Sequence, residues 1–528
     1  MQKTPKAGLF IGLIILAFVF SALSALLTYT PSLNIGQVFS DPYYRHVTRF
    51  SFYQAGLSTL LSVVFAIPVA HAIFRREFPG KALLLKLFAS TLVLPVLVGV
   101  FGILAIYGNS GLLAELFSWF DSKLPFSIYG LTGILIAHVF FNLPYASRMF
   151  IQSLESIPLE QHKLCAHLGM SHWDKFKWVE WPRIKQQIPQ VCGLVFMLCF
   201  TSFATVMALG GGPKSTTIEL AIYQAIKFDF DLQAGALLAI WQMLICAILY
   251  MAVHRLSKTS KVASSYRNHR SMMIRDNSKS KIWDWFWILL SALLVLPPMF
   301  MVVLSGLNSK LVTIFSDSRF WSAVKASVTV AGLSSTLALL AGIILLLTSR
   351  AWRIQGKNGN SDRLEFVGMI ILVTPGLVVS TGLFLLLRGL GDVFSYAFYI
   401  VIAVNSLMAL PYVIKTLSQP MLHIEQQYQV LCTSLGMKGL KRLWLVEGKA
   451  LRKPLAHAFS LGFMVSIGDL SAIALFGSQD FRTLPLYLYQ LMGSYQMEAA
   501  AVVSLCLLLL SLGSFTVTEK LFRRSVDA

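Results

Sequence analysis

The chain has 528 residues, 56% hydrophobic and 13% charged, with 44 Lys and Arg against 24 Asp and Glu for a net charge of +20. That much apolar surface exceeds what one or two water-soluble cores can hide, which excludes a soluble globular protein and indicates a polytopic membrane protein in the lipid bilayer. The basic excess calls for no nucleic acid, because most of it flanks apolar segments, where anionic headgroups lie.

Twelve windows of about 20 apolar residues recur along the chain, each long enough to cross roughly 30 Å of hydrocarbon. They fall at 8–29, 53–74, 84–108, 127–148, 190–211, 232–253, 284–305, 322–348, 366–388, 395–417, 455–477 and 496–518. The expected fold is all-α, with twelve transmembrane helices and both termini on one side. Placing that side in the cytoplasm leaves 34 of the 44 Lys and Arg there, as the retention of positive charge during insertion requires.

The first window follows Lys3 and Lys6 and contains small residues, but its apolar run is about twice that of a signal peptide, so it reads as a retained anchor. His71, near the cytoplasmic end of the second window, reads as hydrated. His138 and Asn142 lie four apart in the fourth and share a helix face, which suits helix packing. A long cytoplasmic loop follows, about 149–189. In it Leu164 and Leu168 are spaced to share one face of a short helix, flanking Cys165, and Gly169 before Met170 can adopt the positive φ that ends it. Lys175, Lys177, Arg183 and Lys185 make the next stretch basic. A loop keeps a defined pattern when it binds something; the alternative is an amphipathic helix resting on the membrane.

Beyond the fifth window stands "LGGGPKSTT", Leu209 to Thr217. A Walker loop needs Gly-x-x-x-x-Gly-Lys-Ser/Thr so that backbone N–H groups close on phosphates. Here Pro213 and Ala208 occupy the positions required to be glycine, so no nucleotide site of the chain's own is expected. After the sixth window, the Ser-rich segment 255–283 carries eight Lys and Arg against one Asp. It reads as a flexible cytoplasmic linker, with lipid binding as the alternative.

The second half repeats the first, displaced by 267 residues. Leu143–Pro144–Tyr145 returns as Leu410–Pro411–Tyr412, "LCAHLGM" from Leu164 as "LCTSLGM" from Leu431, and Val179–Glu180 as Val446–Glu447. "LVLP" ending at Pro95 resembles "LVTP" ending at Pro375, and Tyr223–Gln224 returns at Tyr489–Gln490. Two six-helix repeats of the same orientation follow, with halves at 1–254 and 284–528. The second loop, about 418–454, repeats the pattern as Leu431, Cys432, Leu435, Gly436 and Met437, followed by Lys441, Arg442, Lys449, Arg452 and Lys453. Asp469, in "SIGDLSA", is the acidic residue placed deep in a window. It suits either a solute pathway or a hydrogen bond to a neighbouring helix. The six cysteines form no Cys-x-x-Cys pair, and no cluster has catalytic, cofactor or metal-ligand spacing.

On these two loops the chain resembles the transmembrane permeases of binding-protein-dependent ABC importers, over essentially all of both halves. Their loop carries Glu-Ala-Ala, three residues, Gly, and ends about a dozen residues on in an apolar residue and Pro. Gly169 and Gly436 match the glycine and Trp181–Pro182 the ending. Gly448–Lys449 replaces that ending in the second copy, and Lys163–Leu164–Cys165 and Val430–Leu431–Cys432 replace the Glu-Ala-Ala. The resemblance implies a multi-pass protein of the bacterial inner membrane whose two loops dock on two copies of a cytoplasmic ATPase. It also implies a periplasmic solute-binding protein near the glycine-rich loop. The fused halves resemble the thiamine and ferric-iron importers, and "GGGPKSTTIELAIYQAIKFDFD" is most similar to the permeases for thiamine and its phosphates. The rival class is a twelve-span secondary transporter of the major facilitator type. It would carry a Gly/Asp/Arg-rich loop after the second span, where "RREFPGK", Arg75 to Lys81, lacks an Asp, and it gives the repeated loops no purpose.

Overall fold

In hydrocarbon every backbone N–H and C=O must be paired within its own segment, so apolar windows become helices. The computed structural model describes residues 6–523 except 31–34, 92, 123, 257–277, 390–392 and 438–441. Of the linker expected at 255–283, residues 257–277 lie outside the described residues, while its two ends are helical and belong to Leu232–Leu256 and Ser278–Gly306. Among those described there are helices and no strands. The first half contains α1 (Ala7–Thr28), α2 (Pro42–Arg75), α3 (Val96–Tyr107), α4 (Leu131–Glu155), α5 (Leu159–His167), α6 (Trp181–Phe200), α7 (Phe203–Leu209), α8 (Ile218–Lys227) and α9 (Leu232–Leu256). The second contains α10 (Ser278–Gly306), α11 (Ser318–Ile354), α12 (Gly376–Arg388), α13 (Ala397–Ser434), α14 (Arg452–Ile467), α15 (Ser471–Phe476), α16 (Leu484–Gly493) and α17 (Met497–Arg523). Shorter helices connect them.

Among the described residues ten helices are long and apolar enough to cross a membrane, against the twelve expected, and an eleventh crossing arises if the pair ending in α6 and α7, bent by 52°, is one span. The ninth window shortens to the 13 residues of α12. Pro375 explains the shortening, since it sits immediately before α12 at ψ 145°, as Pro95 sits immediately before α3 at ψ 131°. A proline lacks the N–H that would extend the helix backward and biases its predecessor away from helical geometry. The residues before these two prolines fall in separate helices, Lys81–Thr91 ahead of Pro95 and Asn358–Gly368 with the short turn Ile370–Leu372 ahead of Pro375.

The helix breaks in the two penultimate spans are held alike. Where α6 stops, the freed carbonyl of Cys199 accepts hydrogen bonds from Gln54 Nε2 of α2 at 2.9 Å and from Ser202 Oγ at 2.8 Å. His138 of α4 lies 2.9 Å from Ser202 Oγ through Nε2 and 2.8 Å from Ser58 Oγ through Nδ1. In the second half Asn405, 267 residues on, donates to Ser466 Oγ at 3.1 Å beside the break between α14 and α15. Each break thus has a polar side chain from the preceding span to hold it.

The halves interlock through their first helices. α1 packs mainly on α11 and α12 of the second half, while α10 lies against α2 and α3 of the first as well as its own α17. Two glycines make this possible. A Cβ on Gly382 would sit 2.3 Å from the Ala22 carbonyl oxygen, and one on Gly102 would sit 2.4 Å from that of Pro298, so only glycine lets the backbones approach this closely. The cross-over is fixed at its ends: Gly8 N–H donates to Thr348 Oγ1 at 3.0 Å, and buried Asp284 of α10 pairs with Arg76 Nη2 at 2.6 Å.

Candidate functional site

The two repeated loops form the same small structure twice. In the first, Pro158 precedes α5, whose nine residues end in a paired turn. Met170 N–H donates to the Cys165 carbonyl at 3.1 Å and Gly169 N–H to that of Ala166 at 3.2 Å, with Gly169 at φ 61°. This is the Schellman arrangement, which satisfies the last carbonyls of a helix and favours glycine at the left-handed position. In the second, Met437 N–H donates to the Cys432 carbonyl at 2.8 Å, with Gly436 at φ 65°. The second pattern does not sit on a separate short helix, however. It forms the last turns of the 38-residue α13, because the position matching Pro158 is Glu425 and the helix runs through.

Each turn buries its cysteine and exposes its leucines. Cys165 and Cys432 are 3% and 1% exposed, whereas Leu164 and Leu168 are 57% and 64% exposed and Leu431 and Leu435 54% and 65%. The same apolar pair is therefore presented outward in both halves, as surfaces made to be covered are. Trp173 and Trp178 extend the exposed apolar surface of the first loop.

A second repeated feature lies behind these turns. Phe176–Glu180 and Leu443–Glu447 are both π-helical, each ending in a glutamate that is nearly fully buried. Glu180 Oε2 lies 2.8 Å from His71 Nε2 of α2 and its Oε1 3.2 Å from Lys175 Nζ. Glu447 Oε2 lies 2.7 Å from Arg350 Nη2 of α11 and its Oε1 2.9 Å from Arg442 Nε. Glu425 joins the second cluster, 2.6 Å from Arg442 Nη2. Burial alone would raise the Glu180 pKa, but the hydrogen bond and charge of His71, then of Lys175, hold it down at about 2. Each cluster ties its loop to its half's second long span, through His71 of α2 in one and Arg350 of α11 in the other. His71 thus has a buried carboxylate as hydrogen-bond partner and is not a merely hydrated residue. Sequence reading found the Val-Glu repeat without a role for it; the signal was a basic residue, Lys175 or Arg442, five positions before the glutamate in both halves.

The remaining candidates lie elsewhere. Asp469 is half-buried at the break after α14, where Oδ1 accepts from Ser471 N–H at 3.1 Å and Ser471 Oγ at 2.7 Å and Oδ2 from Ala472 N–H at 3.2 Å. Its carboxylate caps α15 of its own segment, as aspartate does at helix N-termini. The glycine-rich loop is joined to the start of α4, the end remote from the first repeated loop, by a Gly130 N–H to Leu209 carbonyl bond of 2.7 Å. It turns at Gly211 and Gly212, with φ 68° and 134°.

Comparison with known proteins agrees with this duplicated arrangement. The model of the family described as "Binding-protein-dependent transport system inner membrane component" matches twice, at residues 62–260 and 361–526, each match containing one loop. The chain is 47% identical over 517 residues to the thiamine transport system permease protein ThiP of Escherichia coli, covering 97% of this chain and 96% of that one. It is 46% identical over 518 residues to the Salmonella typhimurium protein of the same name, with coverage of 97% and 96%. Against the Haemophilus influenzae protein of that name it is 43% identical over 504 residues, covering 94% and 93%. With two family segments and near full-length relatives, the chain belongs to the binding-protein-dependent inner-membrane transport components, as a fused two-half permease of the ABC importers grouped with the thiamine transport permeases.

Proposed function

We propose that this chain is the permease through which thiamine and its phosphates pass from periplasm to cytoplasm, driven by ATP hydrolysed on separate subunits. The observation that carries the reading is the pair of outward-facing leucines repeated on both loops, two like surfaces for two copies of a cytoplasmic ATPase. The π-helical glutamate clusters give each docking surface a mechanical link to a long span. The division into halves at 1–254 and 284–528, joined by the linker, follows from the sequence repeat. Twelve crossings with both termini cytoplasmic put the two loops on one side and the glycine-rich loop on the other, where a periplasmic solute-binding protein delivers its cargo. The bent pair of α6 and α7 and the short α12 then serve as crossings within the bundle, where neighbouring side chains satisfy their broken ends.

The test is uptake of labelled thiamine by a strain that cannot make the vitamin and lacks this chain. Uptake should be lost and be restored by the wild-type chain, whereas Leu164→Asp with Leu168→Asp should leave the chain in the membrane but release ATPase on purification. Normal thiamine uptake in the deletion strain overturns the solute assignment, and normal ATPase recovery with the double variant overturns the docking assignment.

A further inference from the structure

The repeated Tyr-Gln pair has no part in the cytoplasmic machinery. Tyr223 lies on α8 and Tyr489 on α16, at corresponding places in the two halves, and both line one cavity of about 320 Å³. Tyr129 and Phe228 line it too, with Gln224 and Met207 between them. Four aromatic rings thus bound a space at the small end of the range for ligand sites. Tyr223 is 7% exposed and is held by edge-to-face contacts with Phe203 at 5.4 Å and Phe228 at 5.6 Å.

The cavity's position and chemistry limit what it can take. Tyr129 stands just before α4 and the first cytoplasmic loop just after it, so the 25 residues of α4 put roughly 37 Å between them. The cavity therefore belongs to the face opposite the ATPase-docking loops. Tyr489 is the one residue of the second half among its described walls, so the site is complete only while the halves are together here. No carboxylate and no basic side chain lines it. A hard metal ion finds no anionic oxygen ligands, and an anion finds no positive partner. What aromatic faces attract is a weakly hydrated organic cation, held by the ring quadrupoles and by stacking.

We propose that this cavity is a solute site on the transport path, which binds the positively charged aromatic ring of its solute between Tyr223 and Tyr489. The site rests on the thiamine reading for the identity of that cation, the thiazolium ring. Because the two tyrosines come from different halves, a shift of one half against the other at this end changes the separation of the rings and with it the hold on the solute. Affinity and conformation are then coupled through one pair of residues.

Two measurements test it. In the first, purified full-length chain is mixed with thiamine, and saturation transfer from protein to the thiazolium protons is followed by NMR, which detects weak binding. In the second, the chain is reconstituted with its ATPase and solute-binding protein and labelled thiamine uptake is measured. Tyr223→Leu and Tyr489→Leu should each reduce saturation transfer and lower uptake about tenfold at unchanged membrane abundance. Tyr223→Phe and Tyr489→Phe, which keep the ring, should stay within about twofold of wild type. Leucine variants that bind and transport as wild type overturn the site, as do phenylalanine variants that lose as much as leucine, since hydroxyl hydrogen bonding would then be the cause. Wild-type chain that shows ring-dependent binding but no uptake with both partners present overturns the thiamine reading and leaves the cation site standing.

Discussion

Glu180 and Glu447 occupy the same place in the two halves but have different partners, a histidine and a lysine in one and two arginines in the other. Removing one member of a buried ion pair leaves the rest uncompensated, at about 3 to 5 kcal/mol. Glu180→Gln and Glu447→Gln should therefore each lower the melting temperature of the purified chain, and measurably weaken ATPase retention. The first cluster should also respond to acid. Glu180 is held at about 2 against an ordinary value of 4.5, so its contribution is fully present above the ordinary value and is lost as the pH falls through about 2. Melting temperature should drop over that window in the wild type and drop less in Glu180→Gln. Asp469 allows a separate test, because asparagine caps a helix nearly as well as aspartate but carries no charge. Asp469→Asn should keep abundance; a fall in thiamine uptake then assigns the charge to the pathway, whereas Asp469→Ala reducing abundance and uptake together would make it a cap alone.

At the level of elements, the two repeated turns have like tips on unlike supports. α5 is a free-standing nine-residue helix behind Pro158, too short to be stable without its contacts, whereas its counterpart is the end of α13. A β-branched residue at a left-handed position strains the turn by about 1 to 2 kcal/mol, and the space around both glycines is open, so backbone strain is the whole effect. Gly169→Val should therefore impair ATPase co-purification more than Gly436→Val, and equal impairment would mean that the supports do not matter. The turns were legible in the sequence because Leu-x-x-x-Leu-Gly is a local signal, read from helix spacing and φ alone. The breaks in the spans were not, because an apolar window looks the same whether its helix is continuous or bent; only Pro95 and Pro375 marked where helices begin. The glutamate clusters were half legible: the repeat showed Glu180 and Glu447, but their partners His71 and Arg350 lie about 100 residues away, and no local rule connects them.

For the whole molecule, the two halves are related by repetition yet are not separable bodies, since each gives its first helix to the other. Substituting alanine for Gly102 or Gly382 drives a methyl group into a backbone carbonyl, which cannot rotate aside, so either change should reduce the abundance of the intact chain in the membrane. Cutting the chain within 257–277 should be tolerated when both pieces are co-expressed, and each piece made alone should be degraded; survival of one piece alone would show that the cross-over contacts are dispensable. The intact chain without its ATPase should hydrolyse no ATP, and turnover abolished by changing Lys214 would contradict that. The exchange of first helices also sets a timetable. Thr28, the end of α1, leaves the ribosome 360 residues before Arg388, the end of α12, which at 5 to 20 residues per second is roughly 20 to 70 s. During that time α1 stands in the bilayer with its glycine-facing side against lipid, so assembly has to be finished from the last half back to the first, and a ribosome stalled in the linker leaves a first half that has no means of completing itself.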